Sequence, residues 1–367
     1  LYKIQNRMAS GSYFPPAVRT VFIPKKQGGS RPLGIPTVAD RIAQGVVKDY
    51  LEPLLEPLFH SSSYGYRPGR SAHHALTQCQ QYCNMYDWVI DLEIKGFFDN
   101  LSHEWIMKMV RHHTQEKWVL LYIERWLKAG VEQADGSIVE RVKGTPQGGV
   151  ISPLLSNLYL HHIFEMWMGK YYRSNPFERY ADDIVVHCKT KDEAELVLEA
   201  IRQRLLEFGL ELHPDKTKLV YCKRHNRQEE HEHNSFTFLS YSFQPCGQAN
   251  RRRRVKFTVF EAGICCNART HIRQRIREVF NPRLTHVPLA VVAKKLNPKI
   301  RGWLNYYSLF TPEKALKVFM YLNDLIQRWL KAKYKIRGWN ALQEKYLAYE
   351  KANRSLFVHW QKGMKYY

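Results

Sequence analysis

Apolar and polar positions alternate with two different periods in the first part of the chain, to about residue 246. A period of two, typical of strands, predicts strands at 18–23, 88–94, 184–188, 219–222 and 236–243. Helical spacing predicts helices at 1–8, 40–59, 71–82, 103–111, 118–128, 154–167 and 191–208. Glycine and proline separate these elements, so helices and strands are mixed along the chain.

The pattern changes after residue 246, where a polar stretch precedes a basic, helical region. We interpret 247–254 as a polar linker that ends in four arginines, Arg251, Arg252, Arg253 and Arg254. Helices are expected at 271–279, 289–296 and 315–329. Between them, Arg301 and Trp303 belong to a run of basic and aromatic residues. This run predicts a nucleic-acid face, and some of its aromatic residues are also expected to form the domain core.

Two adjacent acids stand at a predicted hairpin turn, Tyr180-Ala181-Asp182-Asp183. Both side chains can converge at such a turn, and two fixed negative charges repel each other unless a cation bridges them. Hard oxygen ligands suit Mg²⁺. Asp is also common in ordinary turns, so the pair alone fits either interpretation.

The strand at 88–94 supplies further acids, because Asp91 and Glu93 lie two residues apart and share one face. Acids on the polar face of a core strand are costly without a cation. Phe98 follows in the turn after this strand, where an aromatic ring can wall off a sugar.

Three loops are predicted to contact phosphates or bases. A Gly-rich hairpin carries Lys25 and Arg31, which suit a triphosphate, although it also fits a solvated surface hairpin. The loop at 61–71 combines tyrosines with Arg67, a mixture suited to a nucleic-acid backbone. The loop at 143–153 contains Gln147 beside glycines that allow close approach to a ligand.

Charge and composition favour a polyanionic partner. The 56 Lys and Arg against 34 Asp and Glu give a net charge of +22, and such an excess is typical of nucleic-acid binding. A basic membrane-surface protein is the competing class, but no apolar run approaches transmembrane length. The seven cysteines are odd in number and scattered, which favours a reducing compartment. Cys222, Cys246 and the histidines between them lack zinc-ligand spacing and are interpreted as part of a solvated loop.

Five motifs occur in a recognisable order: Arg-Pro-Leu-Gly-Ile-Pro, Tyr-Gly-Tyr-Arg-Pro-Gly, Asp-Leu-Glu-Ile-Lys-Gly-Phe-Phe-Asp, Gly-Thr-Pro-Gln-Gly-Gly-Val-Ile-Ser-Pro and Tyr-Ala-Asp-Asp. The series resembles bacterial group II intron reverse transcriptases, and the later Arg-Gly-Trp-Leu-Asn-Tyr-Tyr is similar to their thumb, or maturase, domain. The resemblance implies an α+β right-hand polymerase fold, with fingers and palm containing antiparallel sheet, followed by a helical thumb/maturase domain. The implied boundaries are 1–246 for fingers and palm, 247–261 for the basic linker, 262–345 for the thumb/maturase domain and 346–367 for a C-terminal tail.

The resemblance also implies an RNA-directed DNA polymerase that uses two Mg²⁺ ions, binds group II intron RNA, assists its splicing and copies it into DNA for retrohoming. The expected partners are intron RNA, the DNA target and primer, and dNTPs, with no membrane. By motif, the metal ligands are Glu93, Asp182 and Asp183. Lys216 is the expected acid for the pyrophosphate leaving group. The expected substrate contacts come from Lys25, Arg31, Arg67, Phe98 and Gln147. RNA contacts are expected from Arg251, Arg252, Arg253, Arg254, Arg301 and Trp303.

Two positions depart from the family pattern, which usually has Asp where this chain has Glu93 and Gly where it has Ser240. Glutamate carries the same charge on a longer arm, so slower chemistry is expected. Asp91 shares the face of Glu93 and is a candidate to assist it, but it lies two residues away along the strand, roughly 6–7 Å. Two alternative functions therefore stay open. One is an RNA-binding maturase with weak or lost polymerase activity, and the other is a host-adopted relative in repair or defence.

The ends of the sequence add two expectations. The segment 1–8 is predicted to be helical without a start signal, which we interpret as the continuation of a truncated N-terminal extension. The chain ends without the HNH endonuclease module of some relatives. The expected location is the bacterial cytoplasm, in part at the nucleoid.

Overall fold

A computed structural model describes residues 1–24, 29–227, 229–250 and 255–363. The side chains at positions 31, 249, 250, 255 and 256 also lie outside this description. The chain divides into two compact units. The first comprises Leu1–Ser235 and Gly247–Phe260, and the second comprises Phe236–Cys246 and Glu261–Tyr367.

Helices and short strands are mixed in the first unit. Its helices are α1 (Tyr2–Ala9), α2 (Val38–Leu55), α3 (Ala72–Met85), α4 (Phe97–Asn100), α5 (His103–His113), α6 (Lys117–Lys128), α7 (Ser152–Leu160), α8 (Met166–Tyr171) and α9 (Lys191–Glu207). Its strands are β1 (Val18–Pro24), β2 (Ser30–Ile35), β3 (Trp88–Glu93), β4 (Val131–Glu132), β5 (Ile138–Val139), β6 (Phe177–Tyr180), β7 (Asp183–Cys188) and β8 (Lys218–Tyr221).

The remaining strands are β9 (Phe236–Phe238), β10 (Tyr241–Asn250) and β11 (Val255–Ile264). The helices of the second unit are α10 (Cys266–Val279), α11 (Leu289–Tyr307), α12 (Pro312–Lys317), α13 (Met320–Tyr334), α14 (Trp339–Ala352) and α15 (Val358–Gln361). Among the helices of the described residues, none has both the length and the apolarity that crossing a bilayer requires.

Side-chain caps begin several helices, among them α3 and α9. The Ser71 hydroxyl accepts a hydrogen bond from the His74 amide at the start of α3. The Thr190 hydroxyl does the same for the Glu193 amide at the start of α9, at 3.2 Å. Each cap satisfies an amide that has no partner inside its own helix, so local sequence determines where these helices begin.

A four-stranded antiparallel sheet in the order β6-β7-β3-β8 lies at the centre of the first unit. One face carries Ile90, Leu92, Ile184 and Val186, which belong to the main hydrophobic core. Because strand side chains alternate between faces, the acids Asp91, Glu93 and Asp183 are directed to the other face. The alternation seen in the sequence therefore separates an apolar core face from an acidic face.

A second four-stranded sheet, in the order β2-β1-β4-β5, is formed by the hairpin β1–β2 and two short strands. Strand β1 pairs antiparallel with β2 and parallel with β4. The loop after β5 contacts this hairpin, since the Gly34 amide donates to the Gln147 carbonyl at 2.9 Å.

The second unit has its own helical core. Large buried side chains from α13, α14 and α15 meet there, including Trp329, Tyr346 and Trp360. The His359 ring and the Trp360 indole both contact the Asn323 amide oxygen, at 2.8 and 3.0 Å. This buried amide ties α15 to α13, so the helices after residue 265 form one packed unit.

Several predicted elements differ from the observed ones. The single strand predicted at 236–243 is wrong, because Leu239 and Ser240 adopt positive φ angles of 49° and 66° and turn the chain from β9 into β10. Their apolar and small side chains give no turn signal in the sequence. Of the predicted linker at 247–261, residues 247–250 belong to β10 and residues 255–261 belong to β11 instead, and residues 251–254 lie outside the described residues.

Helix lengths also differ. Helix α11 continues past the predicted end to Tyr307, with Pro298 inside it. The predicted helix at 315–329 is divided into α12 and α13. The predicted helix at 154–167 contains a π-helical turn, His161–Glu165. Apolar spacing cannot locate these changes, since both sides of each one remain helical.

Candidate active site

The acidic face of the central sheet brings together carboxylates that are far apart in sequence. Strands β3 and β7 pair antiparallel, with Glu93 opposite Asp183 and Asp91 opposite Val185. The Cβ atoms of directly opposed strand residues lie about 5 Å apart. Glu93 and Asp183 are therefore neighbours, with Asp91 on the same face two residues along β3.

The turn between β6 and β7 adds a third acid to this group. Tyr180 pairs with Asp183, which leaves Ala181 and Asp182 as the two turn residues. Ala181 has a φ angle of 58°, in the left-handed region. The predicted hairpin and its turn are confirmed, and the turn places Asp182 directly beside Asp183 at the end of the sheet.

Burial, together with electrostatic repulsion within this group, raises the pKa values of two of its acids. Burial and the carboxylates of Asp182 and Glu93 raise the pKa of Asp183 to about 7, opposed by Lys216. Burial, Asp183 and Glu93 raise the pKa of Asp91 to about 8, opposed by Lys218. Clustered carboxylates that hold their protons this strongly gain from a nearby cation, and an all-oxygen donor set fits Mg²⁺.

Lys216 already contributes one positive charge to the group. Its ammonium lies 2.5 Å from the Glu93 carboxylate, and both side chains are partly exposed. The predicted site residues Glu93, Asp182, Asp183 and Lys216 therefore lie together. Their catalytic roles stay predictions.

A buried arginine that sequence reasoning missed supports the acidic turn. Arg179 is fully buried and donates to the Glu165 carboxylate at 2.5 and 2.7 Å. It also donates to the Ala181 carbonyl at 3.1 Å and to the Ser63 hydroxyl at 2.6 Å. One guanidinium thus joins the turn to a helix and a loop. Its position directly before the Tyr-Ala-Asp-Asp motif was the available signal.

The carboxylate that pairs with Arg179 is strongly stabilised in its charged form. Burial alone would raise the pKa of Glu165, but Arg179 and the hydrogen bond from His161 lower it to about 2. The π-helical turn His161–Glu165 places both side chains in this network. The π-helical turn therefore helps to hold the acidic hairpin in place through Arg179.

The loop at 61–71 packs directly against the acidic turn. The Tyr64 amide donates to the Arg179 carbonyl at 2.9 Å, and the Asn157 side chain donates to the Gly65 carbonyl at 2.9 Å. A Cβ atom on Gly65 would lie 2.5 Å from the Ala181 nitrogen. Only glycine permits this approach, because a real Cβ contact is never so short.

Arg67 does not lie where the sequence suggested. Its side chain pairs with the Glu56 carboxylate at 2.8 Å and donates to the carbonyls of His60 and Ser63 at 2.7 and 2.8 Å. Burial and these bonds direct the guanidinium into the loop. The expectation that Arg67 contacts nucleic acid is corrected to a structural role in shaping the loop.

A cavity of about 400 Å³ lies between the β1–β2 hairpin and the loop at 143–147. Gln147 lines it, together with Asp99, Arg141 and Lys143. Phe98 does not line it: the ring is 5% exposed and packs in the core against Phe97.

The other predicted contacts are placed as follows. Lys25 and the arginines Arg251, Arg252, Arg253 and Arg254 lie outside the described residues, as does the side chain of Arg31. In the second unit, Arg301 is exposed on α11. Trp303 is half-buried against Phe319, with ring centroids 6.3 Å apart.

Comparison with protein families agrees with this arrangement. The family model described as reverse transcriptase (RNA-dependent DNA polymerase) matches residues 23–243, which contain both acidic strands. The chain belongs to the reverse transcriptase family. A second model, the group II intron maturase-specific domain, matches residues 269–347. The resemblance to group II intron reverse transcriptases and maturases is therefore confirmed.

The chain is similar in sequence to two curated proteins, and the aligned fraction differs between them. Protein YkfC of Escherichia coli K12 is 34% identical over an alignment of 257 residues, and the match covers 59% of this chain and 67% of YkfC. The group II intron-encoded protein LtrA of Lactococcus lactis is 38% identical over 162 residues, 44% of this chain. That alignment spans only 27% of LtrA.

Solved structures support the fold. The structure of apo telomerase from Candida tropicalis has a TM-score of 0.55 at 12% identity, covering 95% of this chain and 64% of that one. A likeness at this identity bears on the fold alone. With the reverse transcriptase match, it confirms the predicted α+β right-hand fold with a helical C-terminal region.

Proposed function

We propose that this protein is an active RNA-directed DNA polymerase whose template and partner is a group II intron RNA. The observation that carries the proposal is the pairing of Glu93 with Asp183, beside Asp182, on one face of the central sheet. The two family matches support an RNA-copying activity together with assistance to splicing.

The acids would hold two Mg²⁺ ions, with Glu93, Asp182 and Asp183 as ligands. Bound there, the ions would polarise the α-phosphate of the incoming nucleotide and promote attack by the primer 3′-hydroxyl. The protein contributes the position of the carboxylates, which Arg179 and the loop at 61–71 stabilise. Lys216 lies beside Glu93 and would protonate the departing pyrophosphate.

The cavity beside Gln147 is the proposed site of the incoming nucleotide. Arg141 and Lys143 line it and complement a triphosphate, and the hairpin residues Lys25 and Arg31 are proposed to add further contacts. Phe98 does not line this cavity, and its expected role in excluding a ribose 2′-hydroxyl stays a prediction.

RNA contacts are proposed for the basic residues outside this site. Arg301 is exposed, and Trp303 offers part of its ring. The run Arg251–Arg254 is proposed to bind phosphates of the intron, the DNA target or the primer. A bacterial cytoplasmic location, in part at the nucleoid, follows from these proposed partners.

Primer extension on an RNA template tests the proposal. Wild-type protein should extend the primer with Mg²⁺ and dNTPs, while the double variant Asp182→Ala, Asp183→Ala should show no extension. Asp135→Ala is the matched control, because this acid is exposed on a loop between β4 and β5 and should leave activity unchanged. Absence of extension by folded wild-type protein would refute the polymerase proposal.

A second candidate is an RNA-binding maturase without efficient polymerisation. The ion pair between Glu93 and Lys216 favours it, because it engages a carboxylate that the polymerase needs for a cation. An intron splicing assay distinguishes the two, since the maturase should promote splicing with or without Asp182 and Asp183. Splicing support without primer extension would select this second function.

A further inference from the structure

The acidic face of the central sheet carries a second polar cluster at the opposite end of strand β7. His187 lies four residues beyond Asp183, so the two share a face about 13 Å apart. Helix α3 covers this end of the face and brings Cys79 and Cys83 towards β6 and β7. The mechanism proposed above uses none of these thiols.

Three ligand-type atoms converge in this cluster. One atom each from Cys79, Glu178 and His187 lie within 4.8 Å of one another, and all three side chains are fully buried. They come from α3, β6 and β7, so the fold rather than a local motif brings them together. A tetrahedral zinc ion with sulfur and nitrogen ligands separates its ligand atoms by about 3.6 Å, which small side-chain rotations would achieve.

Cys83 lies beside this group of three residues and offers a fourth ligand. It lies one helical turn from Cys79 on the same face of α3, and its thiol interacts with both Cys79 and the His187 ring. Cys222, at the end of β8, borders the group through its own interaction with Cys83. All of these cysteines are free thiols and fully buried.

The cluster is incompletely satisfied as a hydrogen-bonding network. His187 and Glu178 share one bond of 2.7 Å between Nε2 and Oε2. Within the part of the chain that the structure describes, Glu178 Oε1 and His187 Nδ1 have no nitrogen or oxygen partner, and the groups that interact with these two residues there are the Cys79 and Cys83 thiols. Buried polar atoms without partners are costly, and the groups beside them are thiols, which bond weakly.

We propose that Cys79, Cys83, Glu178 and His187 bind a structural Zn²⁺ ion that ties helix α3 to the central sheet. Thiolate and imidazole donors select zinc, whereas the oxygen-only acids at the other end of the face suit Mg²⁺. Four protein ligands leave no open position, so the role is structural. The cysteine and histidine spacings are unlike a zinc-finger motif, which explains why the sequence gives no signal.

Metal analysis of the purified full chain tests this proposal. After dialysis against a chelator, wild-type protein should retain about one zinc ion per chain by mass spectrometry of its metals. Cys79→Ser and His187→Gln should each lose it. The control Cys188→Ser removes a buried thiol on the other face of β7 and should keep the zinc, as should the double variant at Asp182 and Asp183.

Cobalt substitution keeps the test decisive if a ligand variant fails to fold. Wild-type protein reconstituted with Co²⁺ should show thiolate-to-cobalt charge-transfer absorption, which Mg²⁺ does not displace. Folded wild-type protein that holds no zinc and gives no such absorption would overturn the proposal. A disulfide between any of Cys79, Cys83 and Cys222 in the zinc-free native protein would overturn it as well.

Discussion

Glu93 carries its carboxylate one methylene group further from strand β3 than an aspartate would. The extra length lets it reach Lys216 at 2.5 Å. An aspartate at this position would keep its charge closer to Asp183, its cross-strand neighbour. Catalytic geometry is held to about 0.5 Å, so this one residue decides how well the acids share a cation.

Glu93→Asp should therefore increase the rate of primer extension by about tenfold, because small displacements of catalytic groups have effects of that order. Single-turnover extension at saturating dNTP measures it. The control is Glu211→Asp, which changes an exposed glutamate paired with Lys95 elsewhere on this unit. A slower Glu93→Asp variant would contradict the expected geometry.

The raised pKa of Asp183 predicts how the stability of the metal-free protein depends on pH. The pKa of this carboxyl is about 7 in the folded state and 3.8 as its ordinary value. Between these pH values the folded state holds a proton that the unfolded state has lost, so the stability of the folded protein falls as the pH rises through this range. Metal-free wild-type protein should consequently melt at a lower temperature at pH 8 than at pH 6. Asp183→Asn should reduce this difference, as should Mg²⁺ added to the wild type. Thermal melts at the two pH values measure both effects, and an unchanged pH dependence in the variant would contradict them.

At the scale of elements, the acidic hairpin is positioned by its neighbours rather than by its own turn alone. Arg179 links the turn to α7, the π-helical turn and the loop at 61–71, while Gly65 allows that loop to approach the Ala181 backbone. The sequence shows a turn with two acids. It does not show that a helix and a distant loop hold this turn in place.

Gly65→Ala should lower primer extension at least tenfold, because its Cβ would meet the Ala181 nitrogen at 2.5 Å and displace the turn. The matched control is Gly45→Ala in α2, where a new Cβ meets nothing within 4 Å. Extension rates and circular dichroism of both variants measure the effect. Equal activity of the two folded variants would show that the turn does not depend on this contact.

Arg179→Met should reduce the free energy of unfolding by about 3–5 kcal/mol, because it removes the guanidinium that balances the charge of the buried Glu165 carboxylate. Urea denaturation measures the loss. The double variant Arg179→Met, Glu165→Gln removes the uncompensated charge and should recover part of it. If the double variant is no more stable than the single one, the buried ion pair is not the source of the loss.

For the whole molecule, the net charge of +22 predicts a large electrostatic contribution to the binding of a polyanion. A polyanion that neutralises this charge releases condensed counterions on binding. The charge bears on affinity and association rate, whereas the selection of one RNA over another depends on particular surfaces.

RNA binding should accordingly weaken steeply with salt. If the protein contacts 6–10 phosphates, affinity should fall by about 10³- to 10⁵-fold between 50 and 200 mM salt. Titrations of an intron RNA at several salt concentrations measure the slope, and Arg301→Gln should make it shallower by about one phosphate contact. A flat response would exclude a binding mode dominated by phosphates.

The sequence by itself determined the class of fold, the family, the main helices and strands, and the acids of the candidate site. These depend on short-range patterns: alternation places Asp91 and Glu93 on one strand face, and the Tyr-Ala-Asp-Asp turn places Asp182 beside Asp183. These patterns can be recognised in the sequence because each one involves residues only a few positions apart.

Tertiary structure alone decided which distant side chains meet. It paired Glu93 with Asp183, directed Arg67 into its own loop, buried Arg179 beneath the acidic turn, and gathered the cysteines of α3 around His187. Each result depends on strand register or helix packing between segments far apart in the chain. Sequence periodicity shows which face a side chain occupies, but only packing determines what lies opposite it.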